Sequence, residues 1–154
     1  MHDIIIRKAA LSDIETLLEF EQGVIEAERN IDTTLKTEKI YYYDLEKMIK
    51  SPSIELAVAE LNNSLIGSGY ARIENSKPRY NYERYVLLGF MYVVPTYRGK
   101  GVNKKIIDYL IDWADKQKIT ELRLEVYAEN VSAIKAYEKI GFTKDVIEMR
   151  LAVH

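Results

Sequence analysis

Hydrophobic and polar residues follow two different periods along this 154-residue chain. Apolar residues at every second position predict strands, and apolar residues three and four positions apart predict helices. The strands predicted in this way cover residues 4–7, 54–59, 65–73, 85–94, 121–126 and 146–153. The predicted helices run from residue 12 to about 25, over 42–49, from 102 to about 113, and from 130 or 132 to 140.

The resulting order, βααβββαβαβ, contains no repeat, no low-complexity segment and no inter-domain linker, so we predict one domain over residues 1–154. Strand–helix–strand units in the second half predict an α/β (α+β) fold, with a mixed sheet that includes parallel pairing. Ser12 and Glu15 have the spacing of a capping box at the start of the first helix. Asn62–Asn63 separates two strand patterns, which predicts an antiparallel hairpin.

Composition narrows the functional classes. The net charge of −2 creates no overall field that would attract nucleic acid or an anionic membrane, so we expect neither partner. The absence of cysteine excludes disulfides, thiolate metal sites and a cysteine nucleophile. His2 and His154 are the only histidines and lie at the termini, so we expect neither a catalytic histidine nor a histidine-bound metal. No apolar run suits a signal peptide or a membrane span, so the expected location is cytoplasmic.

A basic, glycine-rich turn follows the long apolar strand and precedes an amphipathic helix. Gly99 and Gly101 allow main-chain N–H groups to approach a ligand closely, because neither residue has a Cβ. The start of the following helix favours an anion. Four basic residues add positive charge there: Arg98, Lys100, Lys104 and Lys105. The turn therefore predicts a pyrophosphate site, while the lysines alone are equally typical of a solvated helix surface.

Two separated signatures resemble those of the GCN5-related N-acetyltransferases, the GNAT superfamily. Met91–Pro95 followed by Tyr97–Val102 is similar to the family's acetyl-CoA-binding strand and pyrophosphate loop. The second signature is similar to the family's other cofactor motif and consists of Leu124–Val126, Asn130, Ala133, Tyr137 and Gly141–Phe142. The order of predicted elements also agrees with the family over the whole chain. The resemblance implies a mixed, mostly antiparallel central sheet flanked by helices, with parallel strands splayed apart at the cofactor site.

The resemblance also implies an acetyl-CoA-dependent N-acetyltransferase, which moves an acetyl group to a primary amine of a small molecule or peptide by direct attack in a ternary complex. Acetyl-CoA is then the donor substrate, and no metal takes part. Main-chain groups of Met91 and Val93 would pair with the pantetheine arm, beside a bulge that frees an N–H to polarise the thioester carbonyl. The implied cofactor-binding residues are Met91, Tyr92, Val93, Arg98, Gly99, Lys100, Gly101, Val102, Asn103, Lys104 and Asn130.

Asn103 departs from the family pattern, which has a small residue at the last position of the loop. An asparagine side chain at this position would either crowd the pyrophosphate or donate a hydrogen bond to it. Because Gly99 and Gly101 are retained, we expect cofactor binding to survive this departure.

Two residues carry the chemistry that the resemblance implies. Tyr137 lies seven residues after Asn130 and is the candidate general acid, since a tyrosine with its ordinary pKa of about 10 holds a proton that it can donate. The spacing alone also fits a core residue on the apolar side of the last helix. Glu125 is the candidate base, acting directly or through water. Glu125 is equally explained by a structural ion pair with Arg123 or by a solvated strand position. A further alternative is that no residue acts as the base, because the amine arrives already neutral. Asn130 either contacts the pantetheine, caps the last helix, or does both.

The resemblance assigns the acceptor site to the first two helices, the loop between them and the loop before the long strand. These segments are acidic and rich in tyrosine, with Glu19, Glu21, Glu26, Glu28, Tyr41, Tyr42, Tyr43, Tyr80, Tyr82 and Tyr85. Such a site suits a cationic amine. Solvated glutamates and partly buried tyrosines explain the same residues without a ligand, and a homodimer is left open.

Two other classes fit parts of the pattern. A non-catalytic CoA-binding module of the same fold would keep the loop but would not need Tyr137. A nucleotide-binding protein unrelated to acetyl transfer is disfavoured, because the turn lacks the Gly-Lys-Ser/Thr sequence of a phosphate-binding loop.

Overall fold

Five strands form one open sheet in the computed structural model, which describes residues 3–153. The strands are β1 (Ile5–Lys8), β2 (Ile54–Leu61), β3 (Ser64–Asn75), β4 (Arg84–Val93) and β5 (Leu122–Leu124), in the order β1-β2-β3-β4-β5. The helices are α1 (Ile14–Arg29), α2 (Leu45–Lys50), α3 (Val102–Lys116) and α4 (Val131–Ile140). The first four strands are antiparallel neighbours and β5 lies parallel to β4, so the predicted fold class is confirmed. His2 and His154 lie outside the described residues.

The sheet separates two hydrophobic cores, and the alternation along β2 assigns residues to each. Ala57 and Ala59 face α3, whose Ile106 and Leu110 are fully buried against them. The intervening residues face α1 and α2 in the second core, which contains Leu17, Phe20, Leu45, Met48, Leu56, Val58, Tyr70 and Phe90. None of the helices within residues 3–153 has the length and apolar character that a membrane crossing requires.

The start of the first helix differs from the predicted capping box. A 3₁₀ turn over Leu11–Asp13 precedes α1, and Asp13 rather than Ser12 is the polar anchor. The Asp13 carboxylate accepts from the Ala10 N–H at 2.7 Å and from the Arg7 guanidinium at 2.8 and 3.0 Å. The Ser12–Glu15 prediction is therefore wrong, because an aspartate already buried at this junction binds the free N–H and also joins α1 to β1.

The second helix begins three residues later than its hydrophobic pattern predicts. Asp44 caps it by accepting from the Lys47 N–H at 3.2 Å. Tyr42 and Tyr43 stay in the preceding loop, where their N–H groups donate to Oε2 of Glu21 at 2.9 and 2.8 Å. Glu21 is fully buried in α1, and its carboxylate therefore fixes the loop to that helix.

The parallel pair β4–β5 is short. Pairing joins Val86–Leu88 to Leu122–Leu124 and ends there, although the alternating pattern predicted a strand to residue 126. Beyond this point, no strand within the described chain pairs with β4 on its β5 side, while β4 itself continues to Val93. The two strands are thus splayed, as the family resemblance implied, and the gap between them lies at the carboxyl end of the parallel pair.

The last helix has the predicted orientation, but the predicted last strand is not formed. Asn130 caps α4 and Gly141 ends it with φ of 124°. The four residues predicted to face inward are the half-buried ones: Ala133, Ile134, Tyr137 and Ile140.

Residues 146–153, by contrast, make no strand pairing, and their large apolar side chains are 72–88% exposed. The strand prediction for this segment is wrong for the single chain, because a strand needs a neighbouring edge and the segment does not reach one.

Candidate active site

A β-bulge interrupts β4 where the strands splay apart. The register of β4 against β3 shifts opposite Gly69, so that β4 carries one extra residue. Phe90 lies in the bulge with φ of 53°, in the left-handed region that residues other than glycine rarely adopt. The structure therefore contains the bulge that the resemblance implied, next to the unpaired edge of β4.

Ser68 supports the bulge from the neighbouring strand. Its hydroxyl is fully buried and donates to the Phe90 carbonyl at 3.0 Å. Gly67 and Gly69 flank it, and a Cβ built on Gly69 would come within 2.7 Å of the Met91 sulfur. Gly-Ser-Gly inside a strand pattern is a signal for such a close approach, although the strand predicted over residues 65–73 does not include a bulge partner there.

The free edge of β4 presents main-chain groups to the gap. The Val94 N–H donates to the Ile66 carbonyl of β3 at 2.8 Å. Because successive residues of a strand point their main-chain groups to opposite edges, those of Val93 and Met91 point away from β3. The Val93 carbonyl already accepts from Nε of Arg98 at 2.9 Å, so its N–H is the group left for a ligand. Arg98 therefore shapes the turn through the protein backbone.

The turn before α3 depends on glycine for its backbone conformation. Gly99 and Gly101 have φ of 75° and 81°, and a Cβ built on either would meet nothing within 4 Å. The glycines are thus required by their torsion angles, and the space in front of them is open. Gly101 precedes the first turn of α3, where Val102, Asn103 and Lys104 present main-chain N–H groups without partners inside the helix. An anion fits this arrangement.

The two lysines of the predicted cofactor set have surface partners in their own chain. Lys104 pairs with Asp108 at 2.7 Å, and both side chains are more than half exposed. The Lys100 ammonium lies 5.7 Å from the centre of the Tyr97 ring. Both contacts agree with the simpler interpretation of these lysines as solvated surface charges.

Tyr137 lies on the face of α4 that packs toward the α3 core. It is half-buried, and its ring meets the Phe142 ring edge-on at 5.9 Å between centroids. Burial raises the pKa of the Tyr137 phenol above its ordinary value, so the hydroxyl stays protonated at neutral pH. The residue is therefore both a packing residue and a protonated donor.

Glu125 directly follows the last paired residue of β5. Leu124 packs against the α3 core, so Glu125 points to the opposite face of the sheet, toward α1 and α2. Burial raises the pKa of Tyr70 on that face, and the Glu125 carboxylate raises it further. The ion pair with Arg123 is not formed. Arg123 instead lies over the Tyr85 ring at 4.1 Å.

Asn130 acts as a helix cap. Its Oδ1 accepts from the Ala133 N–H at 3.3 Å, which confirms the capping interpretation. The cap uses the side-chain oxygen, so the amide nitrogen stays compatible with a second contact.

Aromatic residues cover the bulge on the α1–α2 side. The Tyr43 ring lies 4.7 Å from that of Phe90 and 5.9 Å from that of Tyr70, and Phe20 lies 4.8 Å from Tyr92. The resemblance assigns Tyr43 to the acceptor site and Tyr92 to the cofactor-binding residues. Phe20, Tyr70 and Phe90 carry no such prediction, because nothing local in the sequence distinguishes an aromatic residue in a core from one beside a bulge.

Tyr80 and Tyr82 in the loop before β4, and Tyr85 at the start of β4, lie around an arginine of the same chain. The rings of Tyr80, Tyr82 and Tyr85 lie 4.9, 5.5 and 4.1 Å from the Arg123 guanidinium. This aromatic group therefore already contacts cations of its own chain, since the Arg79 guanidinium also lies 5.2 Å from the Tyr80 ring.

An acidic group lies near the end of β5, between α1 and the loop that follows it. Glu28 accepts from the Tyr42 hydroxyl at 2.6 Å, and Asp32 accepts from the Tyr127 hydroxyl at 2.9 Å. Hydrogen bonds from Thr34 and Tyr127 lower the pKa of Asp32 to about 2, so it is ionised at neutral pH. The Asp32–Tyr127 contact thus joins the loop between α1 and α2 to the segment that follows β5.

The fold, the splayed strands and the glycine turn together define an acyl-CoA-type transferase domain, and the chain belongs to the Acetyltransferase (GNAT) family, whose model matches residues 21–142. The matched segment contains the bulge, the turn before α3, Glu125 and Tyr137.

Named relatives share parts of the chain. N-alpha-acetyltransferase 30 of Saccharomyces cerevisiae is 37% identical over 57 residues, which is 37% of this chain and 32% of the relative. L-methionine sulfoximine/L-methionine sulfone acetyltransferase of Salmonella typhimurium is 24% identical over 135 residues, which is 88% of this chain and 74% of the relative. The match thus spans about a third of the length of the yeast relative.

A predicted acetyltransferase from Clostridium acetobutylicum, solved with acetyl-CoA, has the same fold. It superimposes with a TM-score of 0.72 at 21% identity and covers 98% of this chain and 97% of its own.

Proposed function

We propose that this protein transfers an acetyl group from acetyl-CoA to a primary amine of a small molecule or peptide, by direct attack in a ternary complex. One observation carries the proposal. β4 continues past a bulge to Val93 after its pairing with β5 has ended at Leu88, which leaves a bulged strand edge open beside the gap. In the proposal, Tyr137 would reach this gap from the α3–α4 side and Glu125 from the α1–α2 side.

Acetyl-CoA would bind along β4 and across the start of α3. The pantetheine arm would take the place of the missing strand neighbour and use the N–H groups of Met91 and Val93. The pyrophosphate would lie on the turn between Arg98 and Asn103, where main-chain N–H groups and the helix start favour an anion. The Clostridium acetobutylicum structure, which contains acetyl-CoA, supports this choice of donor.

The chemistry needs a proton acceptor for the amine and a proton donor for the sulfur. Glu125 would take a proton from the incoming ammonium, directly or through water, and the neutral amine would then attack the thioester carbonyl carbon. The C–N bond forms, and as the C–S bond breaks Tyr137 would give its proton to the departing thiolate. The nitrogen still carries two protons after the attack and would lose one of them, through water, to the tyrosinate, which restores Tyr137. Glu125 would release its proton to solvent. An N–H freed by the bulge would stabilise the negative oxygen of the intermediate. Removing one such donor from an oxyanion hole costs about 3 kcal/mol of transition-state stabilisation.

In the proposal the two proton-transfer residues act from opposite sides of the sheet, so the amine and the thiolate would have different approaches to the same carbon. The acceptor would enter on the α1–α2 side, past Tyr43 and Tyr70. The relatives are named for N-alpha acetylation and for methionine sulfoximine and sulfone acetylation, so both a peptide and a small amine fit the proposal.

The test is Tyr137→Phe, which keeps the ring packing and removes the acidic proton. We expect kcat to fall about 100-fold or more, because general acid catalysis contributes factors of this size, while the KM for acetyl-CoA stays close to that of the unaltered protein. Steady-state kinetics with an accepted amine measure both. Tyr109→Phe, which removes the hydroxyl of a tyrosine of α3 that donates to Glu55 and belongs to neither proposed site, is the matched control.

The acceptor is found first by following labelled acetyl transfer to a panel of amines and peptides. An unchanged kcat in Tyr137→Phe would remove Tyr137 as the acid. Tight acetyl-CoA binding without transfer to any amine would instead identify a non-catalytic CoA-binding module of the same fold.

A further inference from the structure

The Tyr70 ring of β3 lies across a glycine of the neighbouring strand. The antiparallel register places Tyr70 directly opposite Gly89 of β4. A Cβ built on Gly89 would come within 2.4 Å of the Tyr70 hydroxyl oxygen and of the ring carbon that carries it. Because only glycine leaves this space free, its presence at position 89 allows the Tyr70 hydroxyl to lie over the middle of β4.

The same row of the sheet continues to Glu125. The last parallel pair of β4 and β5 joins Leu88 to Leu124. One residue further along, β4 has Gly89 and β5 has Glu125. Leu124 packs against the α3 core, so Glu125 points to the α1–α2 face, on which Tyr70 also lies. Tyr70, Gly89 and Glu125 thus form one row across three strands, at the point where β4 and β5 separate.

The Tyr70 hydroxyl has a free hydrogen-bonding capacity. No group within residues 3–153 is hydrogen-bonded to it, although the residue is only 6% exposed. Burial raises the pKa of this phenol, the Arg72 guanidinium opposes the shift, and the Glu125 carboxylate adds to it. The hydroxyl is therefore protonated at neutral pH and retains its acceptor lone pairs. Gly89 is half-buried and Glu125 is exposed, so a ligand in the gap can reach the row.

We propose that Tyr70 binds the acceptor amine, so that the Tyr70 hydroxyl oxygen and the Glu125 carboxylate hold the same nitrogen from two sides. This role rests on the proposed function. A primary amine suits the row because it has several N–H donors, and the row offers a carboxylate and a phenol oxygen as acceptors. Such a contact makes Tyr70 an acceptor-binding residue, whereas its burial alone would describe it as core.

Tyr70 itself neither gains nor loses a proton in this role. The incoming ammonium donates one N–H to Glu125, which takes that proton, and a second N–H to the Tyr70 oxygen. After the C–N bond has formed, the nitrogen carries two protons. One is lost to Tyr137 through water, and the other stays in the hydrogen bond to Tyr70. The hydroxyl therefore restricts rotation of the amine beside the bulge and positions the nitrogen for attack.

Tyr70→Phe tests this role, because it removes the hydroxyl and keeps the ring over Gly89. Labelled acetyl transfer is followed with an amine panel that includes benzylamine, putrescine and trialanine. We expect kcat/KM for the accepted amine to fall about 10- to 100-fold, the effect of losing one hydrogen bond from a charged donor. The Kd of CoA from isothermal titration should not change. Tyr109→Phe is the matched control and keeps its kcat/KM.

A double-variant cycle separates amine binding from packing. If Tyr70 and Glu125 hold one nitrogen, Tyr70→Phe should cause a smaller fold-loss of kcat/KM in a chain that already carries Glu125→Gln. The same fold-loss in both backgrounds would indicate a packing role and would overturn the proposal. An unaltered kcat/KM in Tyr70→Phe would overturn it as well.

Gly89→Ala tests the position of the hydroxyl without removing it. The added Cβ displaces the far end of the Tyr70 side chain, so kcat/KM for the amine should fall as it does in Tyr70→Phe. Circular dichroism checks that each variant is folded, and a folded Gly89→Ala protein with unaltered kcat/KM contradicts the proposal. An unaltered protein that acetylates no amine overturns the proposed function. An active protein whose Tyr70 variants change nothing overturns only the role of Tyr70.

Discussion

Phe90 is the residue at which β4 departs from ordinary strand geometry. A non-glycine residue in the left-handed region costs of the order of 1–3 kcal/mol, and it persists only where the surroundings enforce it. Here the Ser68 hydroxyl binds its carbonyl and the Tyr43 ring packs on its side chain. The neighbouring packing thus stabilises a bulge whose position beside the gap suits the proposed chemistry.

We expect Ser68→Ala to weaken this support. The change leaves the Phe90 carbonyl buried without a partner, which should lower the free energy of unfolding by about 1–3 kcal/mol. It should also lower kcat, because the bulge N–H loses its fixed direction. Urea unfolding and steady-state kinetics measure the two effects. Ser64→Ala in the same strand, at an exposed position, is the control. A stable variant with unaltered kcat would show that the bulge does not need Ser68.

Some of these residue roles could be read from the sequence. The positive φ angles of Gly99 and Gly101 were predictable, because glycine before a helix is typical of such a turn. Phe90 could not be found in this way, since phenylalanine is an ordinary strand residue. Glu21 belongs to the four glutamates that the sequence assigns either to the implied acceptor site or to a solvated helix face, and its burial contradicts the solvated alternative. Its burial depends on two loop N–H groups that the chain brings back 21 and 22 residues later.

At the scale of elements, the turn before α3 is the segment whose conformation most directly sets the proposed cofactor site. We expect Gly101→Val to weaken CoA binding about tenfold, since the left-handed conformation costs an L-residue roughly 1–2 kcal/mol. Gly101→Asn should retain most of the affinity, because asparagine adopts this conformation more readily. Isothermal titration with CoA compares the two variants.

The contrast between these two variants is the useful result, since both add a side chain to open space. Equal losses would point to a steric block by any side chain. An unaltered affinity in both would mean that the phosphates bind elsewhere.

Element boundaries were predictable where a helix or strand depends on its own pattern. The apolar stripe of α3 and the hairpin β2–β3 follow this rule, and Asn62 and Asn63 have the positive φ angles of 51° and 65° that a tight turn requires. The predictions failed where a distant partner decides. α2 starts late because Glu21 holds the N–H groups before it. β5 pairs with β4 over only three residues, and residues 146–153 pair with no strand of the described chain.

At the scale of the whole molecule, Arg7 and Asp13 join the first strand to the first helix. The Arg7 guanidinium holds the pKa of the Asp13 carboxyl below its ordinary value of 3.8, with help from the Ala10 N–H. A lowered pKa in the folded state means that the pair stabilises the fold above the unfolded pKa. That stability is lost as the pH falls from about 4 through the lower folded value.

We therefore expect Asp13→Asn to reduce the free energy of unfolding at pH 7 and to change it much less at pH 2 to 3. Urea unfolding across this range measures the effect. Asp112→Asn, at an exposed aspartate of α3, should alter neither value appreciably. A variant with the same loss of stability at both pH extremes would show that packing, and not the ionised carboxylate, is responsible.

The extra residue in β4 lies where the alternation between the two cores breaks. Val86 and Leu88 face α3, whereas Phe90 faces α1 and α2, and beyond it Met91 and Val93 face α3 while Tyr92 faces α1. Deleting one residue at the bulge would therefore restore a regular alternation and leave every later side chain of β4 on its present face. Neither core needs the additional residue to hold Met91, Tyr92 and Val93 in place. A strand that is one residue shorter would keep these side chains in both cores and would lack only the bulge at its free edge.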